Sequence, residues 1–322
     1  MLRLLCLLAA VGSGGALLAK VYGVAEMRTV ALLFAVPGAV GLGAVWIWAR
    51  RSRRHELATA LAIGLVAGLL GSIAYDLVRI PFLMAGYRVF APISAFGLWL
   101  LDASFPSRWT ETAGWAYHYL NGVTFAMVYA LVAPVVRPGA HWLWAIAWAF
   151  ALESIAVFSP FGRIFALRGN YPALGIAYFA HLAYGLPIGW MVQHWDQNRE
   201  ALEAMKPATC VALALLALTL LVRPLLGREE PGAPGGFRVD GSRLVPEWLR
   251  THRGAALRLD NPGTSTVSVR VERLPTTLTV PAGQSVALPL DGPGIYQLYL
   301  ETGRRTRSSF VMVEPVEQRP AW

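Results

Sequence analysis

Apolar stretches at about 2–19, 29–49, 57–78, 113–136, 141–160, 172–192 and 207–222 recur along most of this 322-residue chain. Most approach the roughly 20 residues that an α-helix needs to cross a hydrocarbon core about 30 Å thick. Inside such a core every backbone polar group must be satisfied by the segment that carries it, so runs of this length select helices. Hydrophobic residues make up 56% of the chain and charged residues only 15%. An ordinary soluble domain is nearer about 25% charged, which excludes a wholly soluble protein.

The composition divides in two. Residues 1–226 hold nine acids, whereas the much shorter stretch 227–322 holds ten. Between them lies GREEPGAPGG (227–236), where Pro and Gly together interrupt any helix. Beyond it the pattern changes to period two, in runs at 256–260, 266–273, 285–290, 295–301 and 308–313 separated by Pro-Gly turns. About seven short strands of this kind predict a β-sandwich. The expected architecture is a polytopic α-helical membrane bundle of about seven transmembrane helices plus a C-terminal all-β cupredoxin-like sandwich. Residues 1–226 form the helical domain, 227–236 the linker and 237–322 the sandwich.

Charge gives orientation more than it gives a partner. The net charge is +9, and arginine supplies all the cations except Lys20 and Lys206. Basic residues confined to short loops reflect membrane topology and give no ground for nucleic-acid binding. Arg50, Arg51, Arg53 and Arg54 crowd between the second and third stretches and place that loop in the cytoplasm. Alternation then puts the amino terminus and 194–206 inside, and the C-terminal domain outside, of a bacterial or archaeal plasma membrane. Residues 1–19 read as a span rather than a signal peptide, because Leu17 and Ala19 make a poor cleavage box. Residues 89–101 are too short for a span and contain Pro92, so an interfacial or re-entrant helix is expected there, with Trp99 and Trp109 at headgroup depth. Cys6 and Cys210 lie in separate apolar runs and define no disulfide framework. Gly64 with Gly68, and Gly185 with Gly189, have the GxxxG spacing that lets membrane helices approach closely.

The C-terminal pattern resembles the cupredoxins. In "RGAALRLDNPGTSTVSVRVERL" and "TLTVPAGQSVALPLDGPGIYQLYLE", the positions Asn261, Pro281-Ala282-Gly283, Pro293-Gly294 and Tyr296 match that family's strand-end and turn signature. The resemblance implies the family's sandwich fold. It does not imply its copper: the family's Cys would fall near Leu300, no Cys or His follows His252, and Met312 alone cannot hold the metal. A copper-free sandwich of this kind implies docking to a periplasmic or membrane protein partner.

Ionisable side chains at bilayer depth cost roughly 2.5–3.5 kcal/mol each on insertion scales, so each one needs a reason. Four stand out: Asp76, His118, Glu153 and His181. A rise of about 1.5 Å per residue puts His118, Glu153 and His181 about 8, 12 and 13 Å below the outer face. Asp76 lies near the outer end of its span. The two histidines share a context, Tyr-His-Tyr-Leu-Asn-Gly at 117–122 and Ala-His-Leu-Ala-Tyr-Gly at 180–185.

Two imidazoles and a carboxylate suit zinc or another transition metal, with His118, Glu153 and His181 as ligands. Asp76 is then the catalytic base or a partner that fixes a histidine tautomer. Such a centre acts on a lipid-soluble substrate, for which membrane lipids are the surrounding partners. The same histidines alternatively ligate a b-type haem whose propionates meet Arg79 or Arg163. Three other readings stand beside these. The cluster is a structural hydrogen-bond network in a non-catalytic scaffold; Asp76 and Arg79, three residues apart, only neutralise each other; or the acids mark a small-solute transport path. The sequence contains no P-loop, dinucleotide-binding turn or nucleophile elbow, and it leaves open whether the protein is an enzyme.

Overall fold

The computed structural model describes residues 1–85, 92–133, 140–165, 167, 169–204, 235–272, 274, 277–290, 292–301 and 307–315. The expected seventh span at 207–222, most of the linker and Arg168 lie outside the described residues. The chain divides into two compact units. One comprises Met1–Phe90, Trp115–Gly162 and Asn170–Arg223, and the other Ala91–Gly114, Arg163–Gly169 and Pro224–Trp322.

The first unit is helical. Its elements are α1 (Leu2–Val21), α2 (Met27–Val30), a π-helical turn (Ala31–Ala35) and α3 (Val36–Arg51), followed by α4 (His55–Met84). They continue with α6 (Arg108–Val132), α7 (His141–Phe158), α8 (Pro160–Ile164), α9 (Tyr171–Gln193) and α10 (Trp195–Ala204); α5 (Ile93–Leu101), the start of α6 up to Gly114 and the end of α8 from Arg163 fall in the second unit. The π turn sits just before Pro37, whose missing N–H breaks the i→i−4 ladder at that point. Among the described residues, four helices are long and apolar enough to cross a membrane: Leu2–Val21, Met27–Arg51, His55–Phe82 and His141–Phe158. Their outer faces expose Leu4, Leu8, Leu33, Phe34, Val40, Leu70, Leu77 and Ile155, which suits contact with lipid. Helices α6 and α9 have 25 and 23 residues and a lower mean hydropathy, α6 through its charged and polar residues and α9 chiefly through its Gly, Pro, Tyr and Trp.

The glycine pairs set how closely these helices pack. A Cβ on Gly64 would stand 2.5 Å from the Met127 Cα, and one on Gly68 2.6 Å from the Val123 Cα. Both are backbone collisions, so α4 and α6 touch main chain to main chain. On α9, Gly185 meets Ala145 and Ile146 of α7, and Gly189 meets Trp142. Small residues continue the seam, with Ala67, Ala126, Ala130, Ala145, Ala149 and Ala180 in one buried cluster of α4, α6, α7 and α9. A second cluster joins α1 and α3 to the other side of α4 and α6 through Cys6, Ala10, Leu42, Ala49, Leu61, Val123 and Leu131. Helix α4 therefore lies centrally: 61% of its apolar window is buried, against 17–28% for the other three candidate spans.

The second unit is a mixed β-sandwich. Its strands are β1 (Gly236–Asp240), β2 (Arg243–Val245), β3 (Trp248–His252), β4 (Leu257–Asn261), β5 (Val267–Val271), β6 (Thr277–Val280), β7 (Gln284–Leu288), β8 (Gly294–Glu301) and β9 (Arg307–Glu314). One sheet has the order β2-β1-β4-β7 and the other β3-β9-β8-β5-β6. All pairings are antiparallel except β1 with β4 and β3 with β9. Alternate residues from both sheets, among them Phe237, Leu259, Val269, Val280, Leu298, Leu300 and Val311, close one core. Asn261 is buried at the end of β4 and donates to the carbonyls of Ser265 (2.9 Å) and Val280 (3.0 Å), tying two turns together. The Tyr296 hydroxyl donates to the Gly292 carbonyl at 2.8 Å.

Helix α5 belongs to this second unit, and its environment corrects one expectation. Trp99 does not sit among headgroups: it is 3% exposed, and its Nε1 donates to Glu314 Oε1 at 2.7 Å. Trp109 is exposed. Gly97 and Gly114 let α5 and the first turn of α6 approach through their backbones. Arg250 on β3 reaches Asp102 Oδ1 at 2.7 Å and Glu314 Oε2 at 2.8 Å, while its own N–H donates to the Ser104 carbonyl at 2.9 Å. Burial works against the guanidinium charge, but the bonds to Glu314 and Asp102 outweigh it and hold Arg250 above its ordinary pKa. The tryptophan, the carboxylate and the arginine thus fasten the helix and its following loop to the sandwich. Hydrophobic periodicity cannot announce that attachment, because α5 is apolar whether it faces lipid or protein.

Arg250→Met lowers stability by about 3–5 kcal/mol in chemical unfolding of the detergent-solubilised chain, because Glu314 stays buried without its cation. Asp102→Asn, at an exposed carboxylate, costs less than about 1 kcal/mol. In the helical unit Gly68→Val lowers stability by about 1–3 kcal/mol or prevents folding, whereas Gly43→Val, in open space, is neutral.

Candidate functional site

The four ionisable residues expected at bilayer depth lie on α4, α6, α7 and α9, and each meets another. His118 Nε2 on α6 stands 3.3 Å from Asp76 Oδ1 on α4. His181 Nδ1 on α9 stands 3.5 Å from Glu153 Oε2 on α7. The result is two imidazole–carboxylate pairs. Tyr75 lies beside both, its ring centroid 5.8 Å from that of His118 and 5.0 Å from that of His181. Among the described residues, no group of three His, Cys, Asp or Glu side chains is placed to hold a metal ion together. The expected ligands His118, Glu153 and His181 are therefore assembled as parts of two pairs.

Each pair is positioned by the helix seams. The close contacts of Gly64 and Gly68 with α6, and of Gly185 and Gly189 with α7, draw the four helices together on either side of Tyr75. Tyr184, in the second copy of the His-x-x-polar-Gly pattern, donates to the carbonyl of Gly122 in the first copy at 2.6 Å. The two similar segments thus pack on each other.

The pairs differ in their charge balance. Asp76 is bound through Oδ1 by the guanidinium of Arg79, one turn along α4. That guanidinium also lies over the face of Tyr75, 4.6 Å from its centroid. Glu153 is 1% exposed and, among the described residues, pairs with the imidazole of His181. His181 Nδ1 also lies 2.9 Å from the Ala177 carbonyl, so Nδ1–H is the donor and Nε2 keeps its lone pair. Such a nitrogen accepts a proton or binds a metal. Trp115 and Tyr119 flank His118, with ring centroids 5.9 and 5.5 Å away.

Arg79 is part of this cluster. Arg163 is exposed on α8 and falls in the other compact unit. Sequence reasoning passed over Tyr75, Trp115 and Tyr119. Tyr75 adjoins Asp76, and its place one turn before Arg79 was the available signal.

Comparison of the chain with protein families, with curated proteins and with solved structures finds no match.

Removing the cation of the Asp76–Arg79 pair leaves a part-buried carboxylate with only the His118 imidazole beside it as a possible counter-charge among the described residues. Arg79→Met costs about 3–5 kcal/mol in unfolding measurements, and Asp76→Asn in the same chain recovers most of that loss.

Proposed function

We propose that the chain is an integral membrane protein whose helical unit carries a ligand site within the bilayer, used on a lipid-soluble substrate. His118 and His181 meet the ligand. Glu153 and Asp76 orient the two imidazoles, and Arg79 neutralises Asp76. One observation carries the reading: ionisable side chains from four helices converge in imidazole–carboxylate pairs around Tyr75. Each is expensive in hydrocarbon, and a bundle that only needed to cohere has the glycine seams for that.

The donor chemistry suits a zinc-like transition metal or a b-type haem, because an imidazole with one nitrogen engaged by a carbonyl or carboxylate presents the other to a metal. Where a metal is bound, it supplies Lewis acidity or an activated water. In the alternative where imidazole works alone, His181 Nε2 is the proton acceptor. The run Arg50–Arg54 supports a cytoplasmic loop and hence an extracytoplasmic sandwich in a bacterial or archaeal plasma membrane. The cupredoxin-like assignment of that sandwich is supported by Asn261 and Tyr296, which organise the turns where the family signature places them. Its copper-free surface then serves a periplasmic or membrane partner.

A scaffold without chemistry is the second reading. It is favoured by the other polar groups of the bundle, such as Tyr117 and Tyr129, whose hydroxyls clasp carbonyls of neighbouring helices. The two readings separate in one preparation. The protein is purified in mild detergent without chelator, reloaded with zinc or haem, and assayed by elemental analysis and absorbance beside His118→Ala/His181→Ala. About one equivalent bound by the wild type and lost in the folded variant is expected for a metal centre. An empty wild type sinks the metal form. A variant that changes in stability alone leaves the scaffold.

A further inference from the structure

Helix α3 closes in a turn whose residues run against local preference. Ser52 caps it, the Arg53 N–H donates to the Arg50 carbonyl at 3.3 Å, and the Arg54 N–H donates to the Ala49 carbonyl at 2.8 Å. This is the Schellman closure, in which the residue after the cap takes the left-handed conformation and is usually glycine. Here that residue is Arg53, at φ 53°. A Cβ in this conformation carries a steric cost that glycine avoids, so the position keeps a guanidinium at the expense of the fold.

The turn joins two candidate spans, Met27–Arg51 and His55–Phe82, and so lies at the level of a membrane face. Arg50, Arg51, Arg53 and Arg54 are all exposed there. The Arg50 guanidinium lies 5.4 Å from the ring centroid of Trp46, and that of Arg54 lies 5.6 Å from the ring centroid of Trp48. Tryptophan sits at headgroup depth in a bilayer, so these two cation–π contacts hold their guanidiniums at that depth. The nearby carboxylate of Glu56 is directed to Arg3, at 3.4 Å. Among the described residues, none of the four arginines forms an ion pair, although Asp196 and Glu200 are exposed on α10. Four like charges within five residues repel one another unless an anion lies among them.

We propose that the turn between α3 and α4 binds the phosphate of an anionic phospholipid headgroup. Arg51 and Arg53 meet the phosphate oxygens as two-pronged donors, and Arg50 and Arg54, set on their tryptophans, supply the surrounding charge. The site is separate from the imidazole–carboxylate pairs: Asp76 lies about 30 Å further along α4, at about 1.5 Å of rise per residue.

The test uses the full chain in mild detergent with an equal mixture of phosphatidylglycerol and phosphatidylcholine, and native mass spectrometry counts the lipids retained. The wild type is expected to retain phosphatidylglycerol preferentially. Arg51→Gln/Arg53→Gln reduces that preference on the order of tenfold, whereas Arg253→Gln/Arg258→Gln, an equal loss of charge at exposed positions of the sandwich, leaves it unchanged. Arg53→Gly also weakens the preference, yet its unfolding midpoint matches or exceeds that of the wild type, because glycine accepts the left-handed turn. A purely structural arginine would show the reverse, a lower midpoint with lipid retention intact. Equal retention of the two lipids by the wild type, or equal losses in the two double variants, overturns the proposal. Inorganic phosphate or a short RNA retained in place of the lipid, and lost in Arg51→Gln/Arg53→Gln, overturns the lipid and gives the turn to a soluble anion. Zinc or haem binding at the histidines is unaffected by any of these variants, so failure here and failure of the ligand site are read separately.

Discussion

The contact of α4 with α6, main chain against main chain at Gly64 and Gly68, is the constraint on which the helical unit rests. Helices gain little from the hydrophobic effect inside lipid, because lipid tails are as apolar as leucine. Close packing and interhelical hydrogen bonds must supply the association, and both depend on short interaxial distance. The glycine and alanine seam provides that distance on both sides of α4 and again between α7 and α9. Reaches such as Tyr184 to the Gly122 carbonyl, and Tyr117 to that of Ser13, close only because the backbones stand so near.

That same nearness makes the ionisable cluster tolerable. At low dielectric a charge is held by partners within a few ångströms or not at all. Asp76 finds its counter-charge on its own helix, one turn away. Among the described residues Glu153 has no such partner on its own helix. Its environment is made entirely by other helices, through His181 on α9. The asymmetry separates a carboxylate paired along its own helix from one paired only across helices.

In the second unit the sandwich core is built by alternation, but its connection to α5 is electrostatic. Arg250, buried between Glu314 and Asp102, joins strand β3, the end of β9 and the turn after α5 through one planar group. A guanidinium fits this role because its donors lie in a fixed fork and its charge survives burial. Trp99 adds the second bond to Glu314, so one carboxylate receives donors from both helix and strand.

Much of this protein was legible in its residues alone, for identifiable reasons. Period and length are local properties, so the apolar runs marked the helices and the alternation marked β4, β5, β7, β8 and β9 within a residue or two. The rarity of charge in those runs singled out Asp76, His118, Glu153 and His181, and rise per residue gave them similar depths. Strands β2 and β6 were less visible, because three or four residues show little alternation, and β1 and β3 were not among the runs read from the pattern. What only the tertiary structure decided was rotation and pairing. Depth does not state which way a helix turns its side chains, so the sequence allowed one shared ligand set, whereas the packing made two pairs with Tyr75 beside both. Nor does an apolar helix carry any mark of whether lipid or protein will cover it. For α5 that was settled by Arg250 and Glu314, which lie about 150 and 210 residues further along the chain and meet it only after folding.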